Sequence, residues 1–422
     1  MKKEILKSRF GESYVKYVHP TGLKVFVCEK PDYSSSYAVF GTKYGSIDTF
    51  FSKDGGNNFV SVPEGIAHFL EHKLFESEDG DAFSRYAVTG ANANAYTSFD
   101  RTCYLFSCSD KFYDNLEILL DFVQHPYFTA KTVEKEQGII GQEIRMYDDS
   151  PSWRVLFNML EAMYEKHPVR IDIAGTVESI AEITDGLLYE CYNTFYNPSN
   201  MFVCVAGNVK ADEIYEFVNS HLLKTQPVEI VRGTFEEGKN VRKKYTEQSL
   251  EVASPLFCLG FKEECDNRGK SLEEKTAMEV TLEVLAGDCS PLYKRLTDLE
   301  LINDEFDTEY FTSTGYACVM FSGESENPKA VKEEIVKEIA RLLENGIDAK
   351  LLETVKKAMY GDVIRRFNST ENIVSQMIEC AMFDFDMFCE SELIAGVTEQ
   401  SVKECLMKLY EEKSVLSVIS PK

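Results

Sequence analysis

Residues 65–76 read GIAHFLEHKLFE, and two of the chain's six histidines, His68 and His72, fall there four positions apart. On a helix, positions i and i+4 share one face. Both imidazoles can therefore reach one metal ion, with nitrogens about 2.0–2.1 Å from it. Glu71 lies between them in the order H-x-x-E-H, the inverse of the commoner H-E-x-x-H zinc helix. A carboxylate there can accept a proton from a metal-bound water. Two histidines alone hold catalytic zinc poorly. A third protein ligand and one open position complete such a site, and a carboxylate from another rigid element is the expected third.

The segment VEKEQGIIGQEIRMYDD supplies candidates. Glu136 and Glu143 are seven apart, two helical turns, and share a face, while Ile139, Ile140 and Ile144 pack the helix and Glu134 points elsewhere. One of the two carboxylates can bind the metal and the other can orient a ligand. The spacing leaves open which does which. Histidines 19, 125, 167 and 221 have no metal spacing and read as structural or exposed.

The elements that must position these groups follow from periodicity. Residues 22–50 alternate as strands, and Pro63 and Glu64 open a helix with apolar residues at Ile66, Phe69, Leu70 and Leu74. A short helix near 80–88 precedes two strands, NANAYTSF and TCYLFSC. Helical patterns follow at 110–124, 131–147, 152–165 and 185–196, then a strand at 200–209 and a helix to 223. Residues 224–248 are polar, charged and without a helical stripe, which predicts a linker. The second half repeats the order: strand SLEVASPLFCLGF, helices at 270–287 and 290–300, two strands near 306–322, four helices and a final strand. The expected fold class is α+β, two similar lobes of mixed, mostly antiparallel sheet packed by helices, at 1–223 and 249–422.

Composition limits the partners. A net charge of −25 argues against nucleic acid, which needs a basic surface. No apolar run approaches the length of a membrane span, and the first twenty residues lack a signal-type core. Twelve scattered cysteines with no CxxC pair read as reduced, buried thiols. A cytoplasmic protein is expected.

GIAHFLEHKLFE, GANANAYTSFDRTCYLF, VEKEQGIIGQEIRMYDDSP, HPVRIDIAGTVESI and YNPSNMFVCVAGNV together resemble the pitrilysin and mitochondrial processing peptidase family of inverted zinc metallopeptidases. The resemblance runs through most of residues 20–210, and the length fits the half-size bacterial members. It implies zinc held by His68, His72 and Glu143, with Glu71 as general base and Glu136 as a second acid supporting activity. It also implies that Asn94 and Ala95 hold a peptide substrate added as a strand. The implied activity is a zinc metalloendopeptidase acting on peptides or unfolded segments through zinc-activated water. The non-catalytic alternative, a structural or peptide-binding subunit, goes with loss of zinc-site residues, and this chain keeps them all. One departure stands out in SPLYKRLTDLELINDEF, where Thr297 and Asp304 occupy the places of the family's Arg and Tyr. Arg295, Tyr293 and Tyr310 are nearby, but nothing in the spacing makes them replacements. The absence suggests a partner chain bearing the pair: a heterodimer, with a homodimer or monomer next.

Overall fold

A computed structural model of the chain describes residues 2–78 and 80–422. Twelve strands matter for the argument: β1 (Lys2–Lys7), β2 (Ser13–Val18), β3 (Lys24–Glu29), β4 (Ser36–Thr42), β5 (Asn92–Thr97), β6 (Thr102–Cys108), β7 (Met201–Gly207), β8 (Tyr245–Leu250), β9 (Leu256–Glu263), β10 (Asp307–Ser313), β11 (Tyr316–Glu324) and β12 (Ser414–Pro421). Ten helices accompany them: α1 (Ile66–Leu74), α2 (Ala82–Thr89), α3 (Phe112–Gln124), α4 (Ala130–Asp148), α5 (Pro151–Met163), α6 (Leu272–Ala286), α7 (Pro291–Asp298), α8 (Pro328–Asn345), α9 (Ala349–Arg365) and α10 (Thr370–Phe383).

The chain forms two units. The first comprises residues 1–144, 172–233 and 364–388, and the second residues 145–171, 234–363 and 389–422. The first holds a seven-stranded sheet in the order β1-β2-β3-β7-β4-β6-β5. Its pairings are antiparallel except β7 with β3. Alternation along these strands sends Phe26, Cys28, Val39, Cys103, Phe202 and Cys204 to one face, where Ile373, Val374, Met377 and Ile378 of α10 bury them. Phe106, of opposite parity to Cys103, meets Phe112 at the start of α3, with ring centroids 5.5 Å apart. Helices α1 and α3 pack on β6 at this face.

The second unit holds a five-stranded sheet in the order β8-β12-β9-β11-β10. Here β8 runs parallel to β12, and the remaining pairs are antiparallel. Helix α5 packs on β12, β9 and β8. A core of Phe257, Leu259, Phe261, Val280, Val284, Val319 and Phe321 joins the sheet to α6, with α8 and α9 adding Val331, Ile335 and Val355.

The expected α+β class and the repeated order of elements match this architecture. The expected boundaries, 1–223, a linker at 224–248 and 249–422, differ from the units in three ways. Residues 145–171 belong to the second unit and residues 364–388 to the first. The linker is not featureless: Val231 and Arg232 pair with Ser52 and Phe51, and Tyr245 opens strand β8. The run SLEVASPLFCLGF spans two strands, the end of β8 and β9 as far as Phe261, separated by residues 251–255. The physical reason is shared: an apolar helical stripe or a short polar strand shows that a surface pairs, and does not show with which sheet.

Candidate metal centre

Helix α1 carries the motif and is buried almost all round, through Ile66, Ala67, Phe69, Leu70 and Leu74. Its entry is set by close backbone contact. Gly65 has φ of 84°, and a Cβ on it would lie 2.3 Å from the Ala174 carbonyl oxygen, so only glycine fits. At the other end of the motif Lys73 is fully buried and paired with Glu76.

Helix α4 brings both expected carboxylates to α1. Glu143 Oε1 lies 3.7 Å from His68 Nε2, and Glu143 Oε2 lies 3.5 Å from His72 Nε2. One ligand atom from each of His68, His72 and Glu143 falls within 4.8 Å of the others. Among the described residues these three alone gather in this way. Four-coordinate zinc with bonds of about 2.0–2.2 Å sets neighbouring ligand atoms about 3.4 Å apart. The two histidine–glutamate spacings, one to each Glu143 oxygen, come close to that demand, and two imidazoles with one carboxylate are a donor set zinc takes. Glu136 stands apart from the trio: its Oε1 is 3.0 Å from His72 Nδ1. It engages the ring nitrogen on the far side from Glu143, the position of a group that orients a ligand.

Electrostatics favour a cation here. Burial, reinforced by neighbouring His72, pushes His68 down to about 3, which keeps its imidazole neutral. For His72 burial works downward, yet the Glu136 hydrogen bond and the charges of Glu71 and Glu143 outweigh it and raise the ring. For Glu136 burial works upward, and the bond and charge of His72 outweigh it, so this carboxyl is lowered. Acids on several sides of His72 attract positive charge there, a proton or a metal.

Glu71 is buried beside the pair, and burial raises its carboxyl above the ordinary range. The Thr97 hydroxyl donates to Glu71 Oε2 at 2.7 Å. Thr97 ends β5, which has β6 on one side and, among the described residues, no strand on the other. Asn94 is exposed on β5, and its Oδ1 accepts the Ala95 amide N–H at 2.9 Å. Ala93, Ala95 and Thr97 form the half-buried face of β5, the strand against which α1 packs. The sequence reading missed Thr97 and Lys73. Strand parity with Ala95 was the available signal for the first, and a lone lysine inside an apolar helix for the second.

The expected Arg and Tyr are absent from the second unit. Thr297 is exposed and its hydroxyl donates to the Tyr293 carbonyl of its own helix at 3.0 Å, and Asp304 is exposed. Arg295 is bound to Glu334 at 2.8 Å and Glu338 at 2.9 Å, and the Tyr310 hydroxyl donates to Glu263 at 2.6 Å. The Tyr293 ring lies 6.1 Å from that of Phe306.

Comparison with known proteins identifies the lineage. The family model described as Insulinase (Peptidase family M16) matches residues 61–177, and that described as Peptidase M16 inactive domain matches residues 182–359. The uncharacterized zinc protease YmfH of Bacillus subtilis is 43% identical over 392 residues, covering 92% of this chain and 91% of its own length. The chain belongs to peptidase family M16. Within M16, the crystal structure of a putative M16-like peptidase from Alicyclobacillus acidocaldarius superposes with a TM-score of 0.92 at 34% identity, covering 100% of this chain and 99% of that one. Pitrilysin shares the fold, with a TM-score of 0.79 at 16% identity, and this chain spans 46% of its length. Among the described residues no helix is long and apolar enough to cross a membrane.

Proposed function

We propose that this M16 chain is a zinc-dependent endopeptidase that hydrolyses peptides or unfolded segments lying along β5. The observation that carries the reading is the convergence of His68, His72 and Glu143 ligand atoms within 4.8 Å, beside a buried glutamate and an open strand edge. His68, His72 and Glu143 would hold the ion. When bound, zinc supplies a Lewis acid for the scissile carbonyl and makes water nucleophilic near neutral pH. Glu71 takes the proton of the attacking water and passes it to the leaving amine. Glu136 fixes the His72 ring through Nδ1. The backbone of β5 binds the peptide by strand addition, around Asn94 and Ala95, which accepts many sequences because main-chain groups do the pairing.

The missing Arg–Tyr pair supports a second part of the proposal. A related half-size chain provides those groups in a heterodimer, with a homodimer or a lone active chain as the other outcomes. The twelve cysteines form no disulfide among the described residues, which supports a reducing, cytoplasmic setting. The same missing pair favours one rival, a subunit that binds peptides without cutting them.

The test is Glu71→Gln with metal analysis and a quenched fluorescent peptide. Wild type is expected to carry zinc and cleave, and to stop when the metal is chelated. The variant is expected to keep zinc and lose at least about a thousandfold in rate. Cleavage retained in Glu71→Gln removes Glu71 from the base role; a zinc-loaded wild type that binds peptide without cutting favours the rival. Purification from the native source reads the partner question.

A further inference from the structure

We infer that Thr97 is a positioning residue for Glu71, holding one carboxylate oxygen so that the other remains to take the proton. The inference rests on the peptidase reading above. The Thr97 hydroxyl donates to Glu71 Oε2 at 2.7 Å. Glu71 is buried, so solvent does not fix its orientation. The neighbouring hydroxyl of Thr102, 3.4 Å away, donates its hydrogen to the Tyr44 carbonyl at 2.9 Å. That leaves the Thr97 hydrogen for the carboxylate, the stronger, charged acceptor.

The second unit contains a natural control. Ser98 bonds Arg101 across the turn between β5 and β6, and Ser313 pairs with Tyr316 between β10 and β11. Thr97 and Thr312 thus stand at the same place in equivalent hairpins, each one residue before the pair that closes the turn. Thr312 donates to the Tyr316 carbonyl of its own hairpin at 3.0 Å. Thr312 thus bonds its own hairpin although α6 carries an acid, Glu283, whereas Thr97 bonds the acid of α1. Because Thr97 belongs to the strand whose free edge would receive the peptide, the same element that pairs with substrate also sets the base.

The experiment compares Thr97→Val, which keeps shape without the hydroxyl, with Thr97→Ser, which keeps the hydroxyl. It uses whichever preparation cleaves the reporter peptide, the chain alone or with a co-purifying relative. Thr97→Val is expected to lower kcat about 10–100-fold, with KM within about twofold and zinc content unchanged, and Thr97→Ser to stay within about threefold of wild type. A structural role alone would move KM, zinc content or melting and would not return with serine. Near-normal kcat in Thr97→Val, or equal loss in both variants, overturns the inference. A melting cycle of Thr97→Val with Glu71→Met in metal-free protein needs no catalysis. It should be non-additive by about 2 °C or more, as a bond to a charged group requires. Additive shifts deny the bond itself. A wild type that does not cleave overturns the peptidase reading, and the catalytic half of this inference with it, while the cycle still reports whether Thr97 and Glu71 interact.

Discussion

Two sheets in this molecule share one plan and differ in what stands on it. The run β3-β7-β4-β6-β5 of the first unit has the same order and directions as β8-β12-β9-β11-β10 of the second. Each central strand leads to a helix pair and then to a hairpin: β4, α1 and α2 before β5–β6, and β9, α6 and α7 before β10–β11. In α1 the sequence is His68-Phe69-Leu70-Glu71-His72; in α6 the run that aligns with it on a shared Leu-Glu is Val280-Thr281-Leu282-Glu283-Val284. Helices α4 and α9 both open with Ala-Lys, and counting from there Glu136 and Glu143 match Val355 and Asp362. Val280, Val284 and Val355 are buried in the second core. Acids remain at the places of Glu71 and Glu143, as Glu283 and Asp362, but the scaffold does not require the two histidines or the Glu136 carboxylate. Where it lacks them, valines close the gap and add apolar burial; where it has them, buried imidazoles and acids occupy space that hydrophobic packing would otherwise fill.

The most severe way to break this contrast is to convert one helix into the other. The double substitution His68→Val with His72→Val should drop zinc from about one per chain to under about 0.05, because one carboxylate cannot hold the ion. Circular dichroism should show an unchanged fold, and the melting temperature should hold or rise by a few degrees, since α6 tolerates valine at both places. Stoichiometric zinc in that variant would remove the ion from α1. A misfolded product would instead mean that the two helices are not interchangeable.

A gentler conversion is Glu136→Val, after Val355. Metal affinity is expected to fall about 10–100-fold, the usual cost of losing a group that orients a ligating histidine. Competition with a chromophoric chelator reads this directly. Unchanged affinity would show that His72 keeps its orientation without the 3.0 Å contact to Glu136.

Much of the site was legible because its logic is local. The i, i+4 spacing placed His68 and His72 together, and the seven-residue spacing put Glu136 and Glu143 on one face. Residue types alone did not decide between the two glutamates. That depends on the approach of α4 to α1, which brings Glu143 to both Nε2 atoms and Glu136 to Nδ1. The fold class was equally readable from the repeated order of helical and strand periods. Strands β1 and β2 were not read, nor was β8, whose residues alternate between exposed and half-buried with few apolar side chains to mark the face. The assignment of α10 to the first sheet and α5 to the second was invisible for a different reason. Ile373, Val374, Met377 and Ile378 declare an apolar face, and any sheet of similar curvature could cover it.

The smallest expected effect contrasts a structural acid with the proposed base. Glu71 is a buried carboxylate that receives the Thr97 hydroxyl, and burial raises it. Glu237, in the second unit, accepts the amide N–H groups of Glu165 at 3.0 Å, Lys166 at 2.7 Å and His167 at 2.9 Å, with Lys262 Nζ at 2.8 Å. Burial would raise it too, but the Lys262 bond and the three amides outweigh burial and pull it from 4.5 down to about 2. A lowered carboxyl stabilises the folded chain above its ordinary value, and that contribution fades as pH falls through the folded value. Glu237→Gln should therefore melt about 2–4 °C below wild type at pH 7, a small shift because the group is partly solvated. The gap should hold down to about pH 4.5 and close toward about pH 2. A gap of constant size across this range would assign the effect to shape rather than charge, and Glu237 would then no longer serve as the stabilising counterpart of Glu71.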